Sequence, residues 1–263
     1  MKKSELKALI DLLDDQQVYE HVRSKLLEYG SAALPYLTRV IRDEDPERIE
    51  RANAILEEIH QETFESEWKQ LLLDHAGTDL PLEESIWFIA RIKYPAVDVS
   101  YYTEQLDDLA AEISQRLQKR DSGITIARRL IGVLVNDHNF NGNAEEYYDE
   151  DNSYLNKVME NKMGIPISLS ALYMLVGKRI GIDLKGIGVP AHFMLKFTEE
   201  SDSSIYYIDP FHRGRILDRA AVQRFCMRLG VGFSEDYLTP VSNSEIVERM
   251  LRNLVMVYTK QDN

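Results

Sequence analysis

The feature that most constrains this chain is a change in hydrophobic periodicity near residue 122. Before it, apolar residues recur three or four positions apart, as in Leu6, Leu9 and Leu13, which is the spacing of one helix face. After it, the segments HFMLKF and SSIYYIDPF alternate in the period-two manner of strands. The chain should therefore fold as α+β, with helices first and a mixed helix–sheet part second.

We predict an all-helical domain at 1–122, an α+β domain at 123–240 and a C-terminal helix at 241–263. In the first domain, VRSKLLEYG and ERANAILEEI lie about 30 residues apart and share apolar and charged positions. This pattern resembles HEAT-like helix pairs, although an ordinary helical bundle explains it equally well.

The last segment, MLRNLVMVYTKQDN, resembles the first helix of a tetratricopeptide repeat through Asn253, Leu254, Tyr258 and Asp262. A lone amphipathic helix that packs on the core is the simpler interpretation of the same residues.

Charge and composition exclude several classes of function. The net charge is −13, and no basic patch with interleaved aromatic residues is available to neutralise a phosphate backbone, so nucleic acid is not an expected partner. The sequence contains no long apolar run, so no membrane association is expected. The single cysteine, Cys226, cannot form an intramolecular disulfide, which agrees with a reducing, cytoplasmic location.

A histidine and an aspartate in the predicted sheet are the first candidates for chemistry. If residues 192–197 and 205–209 form a hairpin centred near residue 201, His192 lies beside Asp209. The carboxylate would then orient the imidazole, as the third group of a nucleophile–base–acid triad does. A buried histidine satisfied by a neighbouring acid, without any chemistry, is the alternative interpretation.

The segment GIPISLSALYMLVGKRIG predicts a buried helix that begins at Pro166. Proline is favoured at the first helical position because the N–H that it lacks would be unpaired there. The first turn of a buried helix is also where papain-type enzymes place a nucleophile, since the free N–H groups and the helix dipole stabilise a thiolate. Ser168 and Ser170 are the nearest hydroxyl groups.

Four motifs taken together, NSYLN, GIPISLS, PAHFML and IDPF, resemble the transglutaminase-like core of the bacterial SirB-type proteins, known as invasion regulators. The resemblance covers about residues 120–225. It implies a papain-like core in which a buried helix packs on an antiparallel sheet. It also implies that His192 and Asp209, followed by Pro210, match the family's catalytic histidine and Asp-Pro, and that Pro166 matches the position of the catalytic cysteine.

The resemblance therefore implies a pseudoenzyme: a regulatory or scaffold protein that acts through protein–protein contacts, with no cofactor and no metal. The alternative is a hydrolase or acyltransferase that uses the His192–Asp209 pair with Ser168 or Ser170 as nucleophile. A cysteine introduced at residue 166 would be expected to lie near His192 and to have a lowered pKa.

We also predict a binding cleft at the start of the buried helix, formed by the residues Asn152, Tyr154, Asn156, Gly164 and Ser168. Just upstream, DHNFNGNAEEYY imitates a calcium-binding loop, but its twelfth position is Tyr148 where such loops require a bidentate glutamate. A helix end followed by an Asn-Gly turn explains the same residues, so we expect no metal there.

Overall fold

The protein is described by a computed structural model that covers residues 2–42 and 45–261, without the side chains of residues 2, 61, 62 and 261. The chain divides into two compact units. The first comprises Met1–Thr78 and Phe88–Val99, and the second comprises Asp79–Trp87 and Ser100–Asn263. The predicted boundary at 122/123 thus falls inside the second unit, because the helix that precedes it packs with the later residues.

Helices make up most of the described chain. Their bounds are α1 Lys2–Asp11, α2 Tyr19–Tyr29, α3 Leu34–Val40, α4 Pro46–Asp74, α5 Leu82–Lys93, α6 Val99–Arg116, α7 Gly123–Ile131, α8 Leu155–Asn161, α9 Pro166–Arg179, α10 Arg219–Arg228 and α11 Asn243–Gln261. A π-helical turn, Gly132–Asp137, continues α7, and short 3-10 turns occupy Gly30–Ala32, Glu150–Ser153 and Glu235–Leu238.

The first unit is built around a core shared by its helices. Helix α1 packs on α2 and α3, and both of these pack on α4. Helix α4 begins where the sequence predicts a break, because the side chain of Asp45 accepts hydrogen bonds from Glu47 N and Arg48 N and Pro46 takes the first helical position. The core residues include Leu6, Leu13, Val22, Leu26, Leu37, Ile55 and Ile59.

The second unit contains a four-stranded antiparallel sheet in the order β3-β4-β5-β6 and a short parallel pair, β1-β2. The strand bounds are β1 Asn141–Gly142, β2 Met163–Gly164, β3 Lys185–Val189, β4 His192–Thr198, β5 Ile205–Asp209 and β6 Arg215–Leu217. The register Thr198↔Ile205 centres the β4–β5 hairpin close to residue 201, as the sequence spacing predicts. Strand β6 is too short and too exposed for the alternation to reveal it.

Helix α9 is the central helix of this unit, and it lies against β3, β4, α8 and α11. Its residues are buried on nearly every side, from Pro166 to Gly177, which explains why it lacks a polar face. A second hydrophobic cluster joins the sheet to α10 and contains Ile187, Val189, Met194, Tyr207, Val222, Cys226 and Leu238.

Helix α11 packs on the core of the second unit. It contacts α9 and the turn Glu150–Ser153, and Tyr258 Oη lies 2.8 Å from Tyr154 Oη. Asp262, the last residue of the repeat-like pattern, lies outside the described residues. None of the described helices is long and apolar enough to cross a membrane.

Candidate functional site

The predicted histidine–aspartate pair forms at the open end of the β4–β5 hairpin. His192 is the first residue of β4 and Asp209 is the last residue of β5, and His192 Nε2 lies 2.8 Å from Asp209 Oδ1. Both side chains are buried. The proximity predicted from the hairpin spacing is confirmed by this hydrogen bond, in which an ionised Asp209 accepts from the Nε2–H tautomer of His192.

A second histidine, which the sequence analysis missed, binds the other oxygen of the same carboxylate. His212 Nδ1 lies 2.7 Å from Asp209 Oδ2, and the backbone N–H of His212 donates to Asp209 Oδ1 over 3.3 Å. The side chain of His212 is 46% exposed, whereas that of Asp209 is 3% exposed. The sequence signal for this contact is the three-residue spacing of aspartate and histidine in DPFH. A turn that follows a strand can fold back so that its last residue reaches the carboxylate of its first residue.

Asp209 carries its negative charge in a buried position. Burial opposes ionisation of the carboxyl group, but the hydrogen bond and charge of His192, together with His212, outweigh that effect and hold the pKa of Asp209 below its ordinary value. The hydroxyl of Tyr173 on α9 is buried, and its pKa is raised by burial and by the charge of Asp209. Asp209 is therefore a buried anion whose two carboxylate oxygens are each hydrogen bonded to an imidazole.

Aromatic rings surround His192. The ring centroids of Phe225 on α10 and Phe211 lie 5.1 Å and 6.0 Å from that of His192. Phe211 also packs so tightly on Gly142 that a Cβ there would lie 2.4 Å from the carbonyl oxygen of Phe211. Phe211 therefore contacts both the imidazole and strand β1, in which Gly142 pairs with Gly164 just before α9.

Helix α9 begins at Pro166, as predicted, after the extended residue Ile165. Pro166 is buried. In the part of the chain that the structure describes, no hydrogen bond joins His192 to α9, since the side chain of His192 binds only Asp209. The helix start and the imidazole are thus not linked as a nucleophile and its base would be.

The two candidate hydroxyl groups have different surroundings. Ser168 Oγ donates to Asn152 O over 2.6 Å and accepts from Ile165 N over 3.1 Å, so it acts as a cap for the helix start. Ser170 Oγ is buried without a hydrogen-bond partner among the described residues. Neither hydroxyl is hydrogen bonded to His192, which is the contact that the alternative enzyme mechanism requires.

The single cysteine of the sequence lies in the hydrophobic cluster between the sheet and α10. Cys226 is buried in α10 within the cluster that contains Val222 and Met194, and burial raises the pKa of its thiol. A raised pKa keeps the sulfur protonated and unreactive at neutral pH. Cys226 is therefore a core residue.

The predicted cleft residues are all buried, so they do not form an open surface. Asn152 carries the backbone oxygen that holds Ser168 Oγ, and its side chain bonds Asn143 and Glu146 O. Tyr154 reaches α11 rather than α9. Asn156 and Gly164 are buried as well. Of these residues, Asn152 and Ser168 hold the start of α9, because their hydrogen bond satisfies polar groups at a buried helix end.

The Asn-rich loop is engaged in local structure. Asp137 pairs with Arg116, and Asn143 Oδ1 accepts from Glu146 N. Asn139 has a φ of 60°, which asparagine tolerates in a turn. The helix end agrees with the expectation from the sequence, but Asn141 and Gly142 form strand β1 instead of the expected Asn-Gly turn.

A separate cleft of about 970 Å³ lies away from the histidines. It is lined by residues of the α7 start and the sheet, including Ser122, Gly123, Lys185, Lys196 and Glu199. None of the predicted site residues lines it. The carboxylate of Glu199 accepts from Gly123 N and Ile124 N and so occupies the start of α7 itself.

Comparisons with known proteins agree with the geometry. Residues 100–252 match the family described as the transglutaminase-like superfamily. A protein of Xylella fastidiosa named UPF0162 protein is 33% identical over 189 residues, which cover 70% of this chain and 66% of that protein. Protein SirB1 of Salmonella typhimurium is 24% identical over 168 residues, 62% of this chain and 60% of that protein.

A mammalian relative is similar over a shorter region. F-box only protein 21 of Mus musculus is 30% identical over 129 residues, which cover 47% of this chain and 20% of that protein. The chain spans just under two thirds of the length of the two Xylella fastidiosa relatives, 66% and 65%. No solved structure gives a significant match.

Proposed function

Because the chain belongs to the transglutaminase-like superfamily, and to its SirB-type members, we propose that it is a non-catalytic protein that acts by binding another protein. The observation that carries the proposal is that Pro166 is buried at the first position of α9 while, among the described residues, the side chain of His192 is hydrogen bonded to Asp209 alone. Proline has no nucleophilic atom, and the base faces no hydroxyl or thiol at hydrogen-bond distance.

The loss of the nucleophile leaves a structural role for the remaining pair. The His192–Asp209 hydrogen bond ties the open end of the hairpin together, and the rings of Phe211 and Phe225 cover it. A buried carboxylate that kept its charge without these imidazoles would be costly, so the pair would persist for stability after catalysis is lost.

The protein-binding part of the proposal is supported by α11 and by the use of the core in longer proteins. Val255 and Met256 on α11 are adjacent and leave 66% and 40% of their surface exposed. The matched region is only a fifth of the length of F-box only protein 21, as expected for a module. We propose that the half-repeat pattern of α11 and the HEAT-like helix pairs of the first unit provide the contact surfaces.

The proposal leaves nucleic acid out of the set of partners because the net charge is −13. It places the protein in the cytoplasm, where the single thiol of Cys226 would stay reduced. The division into three regions at 1–122, 123–240 and 241–263 also remains a proposal.

The experiment is a direct search for acyl-transfer chemistry. The wild-type chain is incubated with thioester and amide substrates and with a fluorophosphonate probe, and we expect neither turnover nor labelling. Turnover that is lost in His192→Ala or Ser170→Ala, but kept in His21→Ala, would overturn the proposal. His21 is an exposed histidine in the first unit and therefore controls for a general loss of imidazole.

The partner surface has its own test. A double substitution, Val255→Asp with Met256→Asp, should abolish co-purification of a specific protein, whereas Arg252→Ala on the same helix should not. The side chain of Arg252 is 75% exposed and pairs only with Glu248 of its own helix, so the control leaves the core unchanged. Equal recovery with all three chains would rule out α11 as the contact surface.

A further inference from the structure

Three potential metal ligands converge at the end of the β4–β5 hairpin. One ligand atom from each of His192, Asp209 and His212 lies within 4.8 Å of the other two. Two of the pairs are hydrogen bonded at 2.8 Å and 2.7 Å, through the two oxygens of the Asp209 carboxylate, so a bound ion would replace the protons on these imidazole nitrogens and move the pairs slightly apart. We propose that His192, Asp209 and His212 bind one divalent transition-metal ion, with zinc as the first candidate.

The spacing is compatible with coordination after a small closure. Zinc binds histidine nitrogen and carboxylate oxygen at about 2.0–2.2 Å, so ligand atoms around it lie about 3.4 Å apart in a tetrahedron. The widest pair in this group therefore has to close by at most about 1–1.5 Å. His212 can supply this movement, because its side chain is 46% exposed and lies on a turn.

The other two ligands are held in place by their surroundings. His192 is packed against the ring of Phe225, and Arg249 donates from Nη2 to the backbone oxygen of His192 over 2.8 Å. Asp209 is the last residue of β5, and its backbone lies opposite that of Arg215 in the neighbouring strand β6. Two fixed ligands and one mobile ligand that reaches solvent give an entry path and leave a coordination position for water.

The ligand set selects the class of ion. Two imidazole nitrogens and one carboxylate oxygen suit zinc, cobalt, nickel and iron, whereas calcium and magnesium prefer sites made of oxygen alone. The metal proposal does not rest on the proposed function, because a bound ion is compatible with a scaffold as well as with an enzyme.

The test uses the full chain without a histidine tag, stripped with a chelator and titrated with zinc chloride in a calorimeter. We expect one zinc per chain, a rise in Tm, and the visible absorption of a four-coordinate site when cobalt replaces zinc. His212→Ala should weaken zinc binding by more than about tenfold, since loss of groups that merely support a ligand already costs that much. The exposed position of His212 lets the variant keep its fold.

Two controls make the result specific. His21→Ala removes an exposed histidine elsewhere, and His138→Ala removes the imidazole that pairs with Glu112 at 2.7 Å, a rival zinc ligand pair. Both should bind zinc as the wild type does. Unchanged affinity in His212→Ala, binding lost in His138→Ala, or equal binding of magnesium would each overturn the metal site. Hydrolysis by the zinc-loaded wild type would overturn the proposed function and leave the metal site standing.

Discussion

The imidazole of His192 lies with Nε2 2.8 Å from Oδ1 of Asp209, although the two residues are 17 positions apart in the chain. The hairpin between β4 and β5 brings them together, and burial removes water that would weaken the bond. A third residue, His212, binds the second carboxylate oxygen. His192 and Asp209 therefore have the geometry of a base and its orienting acid, but no hydroxyl or thiol of the described residues is hydrogen bonded to the imidazole.

We expect Ser168→Ala to lower the free energy of unfolding by about 0.5–2 kcal/mol, because it removes the capping hydroxyl that bridges Ile165 N and Asn152 O and leaves these two groups only their mutual 3.4 Å hydrogen bond. Ser170→Ala should be neutral or slightly stabilising, since Ser170 Oγ is buried without a partner. Urea unfolding of the three chains measures both values. A large loss in Ser170→Ala alone would assign that hydroxyl a role that the structure does not show.

We expect Pro166→Cys to react with iodoacetamide more slowly than free cysteine at neutral pH. This reverses the expectation from the helix dipole alone, because residue 166 is buried and His192 makes no hydrogen bond to α9. The wild type, with its buried Cys226, is the control. A reaction faster than that of free cysteine, and slowed by His192→Ala, would reveal a preorganised site.

We expect Gly142→Ala to destabilise the protein by about 1–3 kcal/mol, because its Cβ would collide with the backbone oxygen and ring of Phe211. Gly132→Ala is the matched control, since a Cβ at that helical position meets nothing within 4 Å and alanine is the better helix former. Thermal unfolding compares the two. Equal Tm values would show that Phe211 does not need the close contact that places it beside His192.

We expect Glu199→Gln to lower Tm at neutral pH, because hydrogen bonds from Ile124 N and Gly123 N hold the pKa of Glu199 below its ordinary value of 4.5. A lowered folded-state pKa contributes stability above the unfolded value, and this is lost as the pH falls through the folded pKa. The Tm difference from wild type should thus be full well above pH 4.5 and should disappear as the pH falls through the lower, folded-state pKa of Glu199. Glu200→Gln, an exposed neighbour, should show no such pH dependence.

The sequence was sufficient for the elements whose local signals are strong. Asp45 and Pro46 mark the start of α4, Pro166 marks the start of α9, and the alternation around residue 201 predicts a hairpin with His192 beside Asp209. Each of these features depends on neighbours along one element or one hairpin. Caps, first-turn prolines and period-two patterns are therefore readable without knowledge of the rest of the fold.

Local sequence signals could not predict that His212 binds Asp209, or that the residues of the predicted cleft are buried. His212 approaches Asp209 only because the turn after β5 folds back, and Phe211 reaches His192 only because Gly142 allows a close contact. Tyr154 turns to Tyr258 on α11, 104 positions away in the chain. Such contacts depend on side-chain packing between distant segments, which periodicity does not encode.

The amino-acid sequence by itself determined the main order of helices and strands, the single thiol, and the proline that begins α9. Only the tertiary structure decided that the cleft residues are buried, that Ser168 is a cap, and that two imidazoles share one carboxylate. The physical reason is the separation along the chain over which each effect acts. Backbone propensity and capping act within a few residues, whereas the burial of a side chain and the sharing of a buried charge depend on which distant segments pack together.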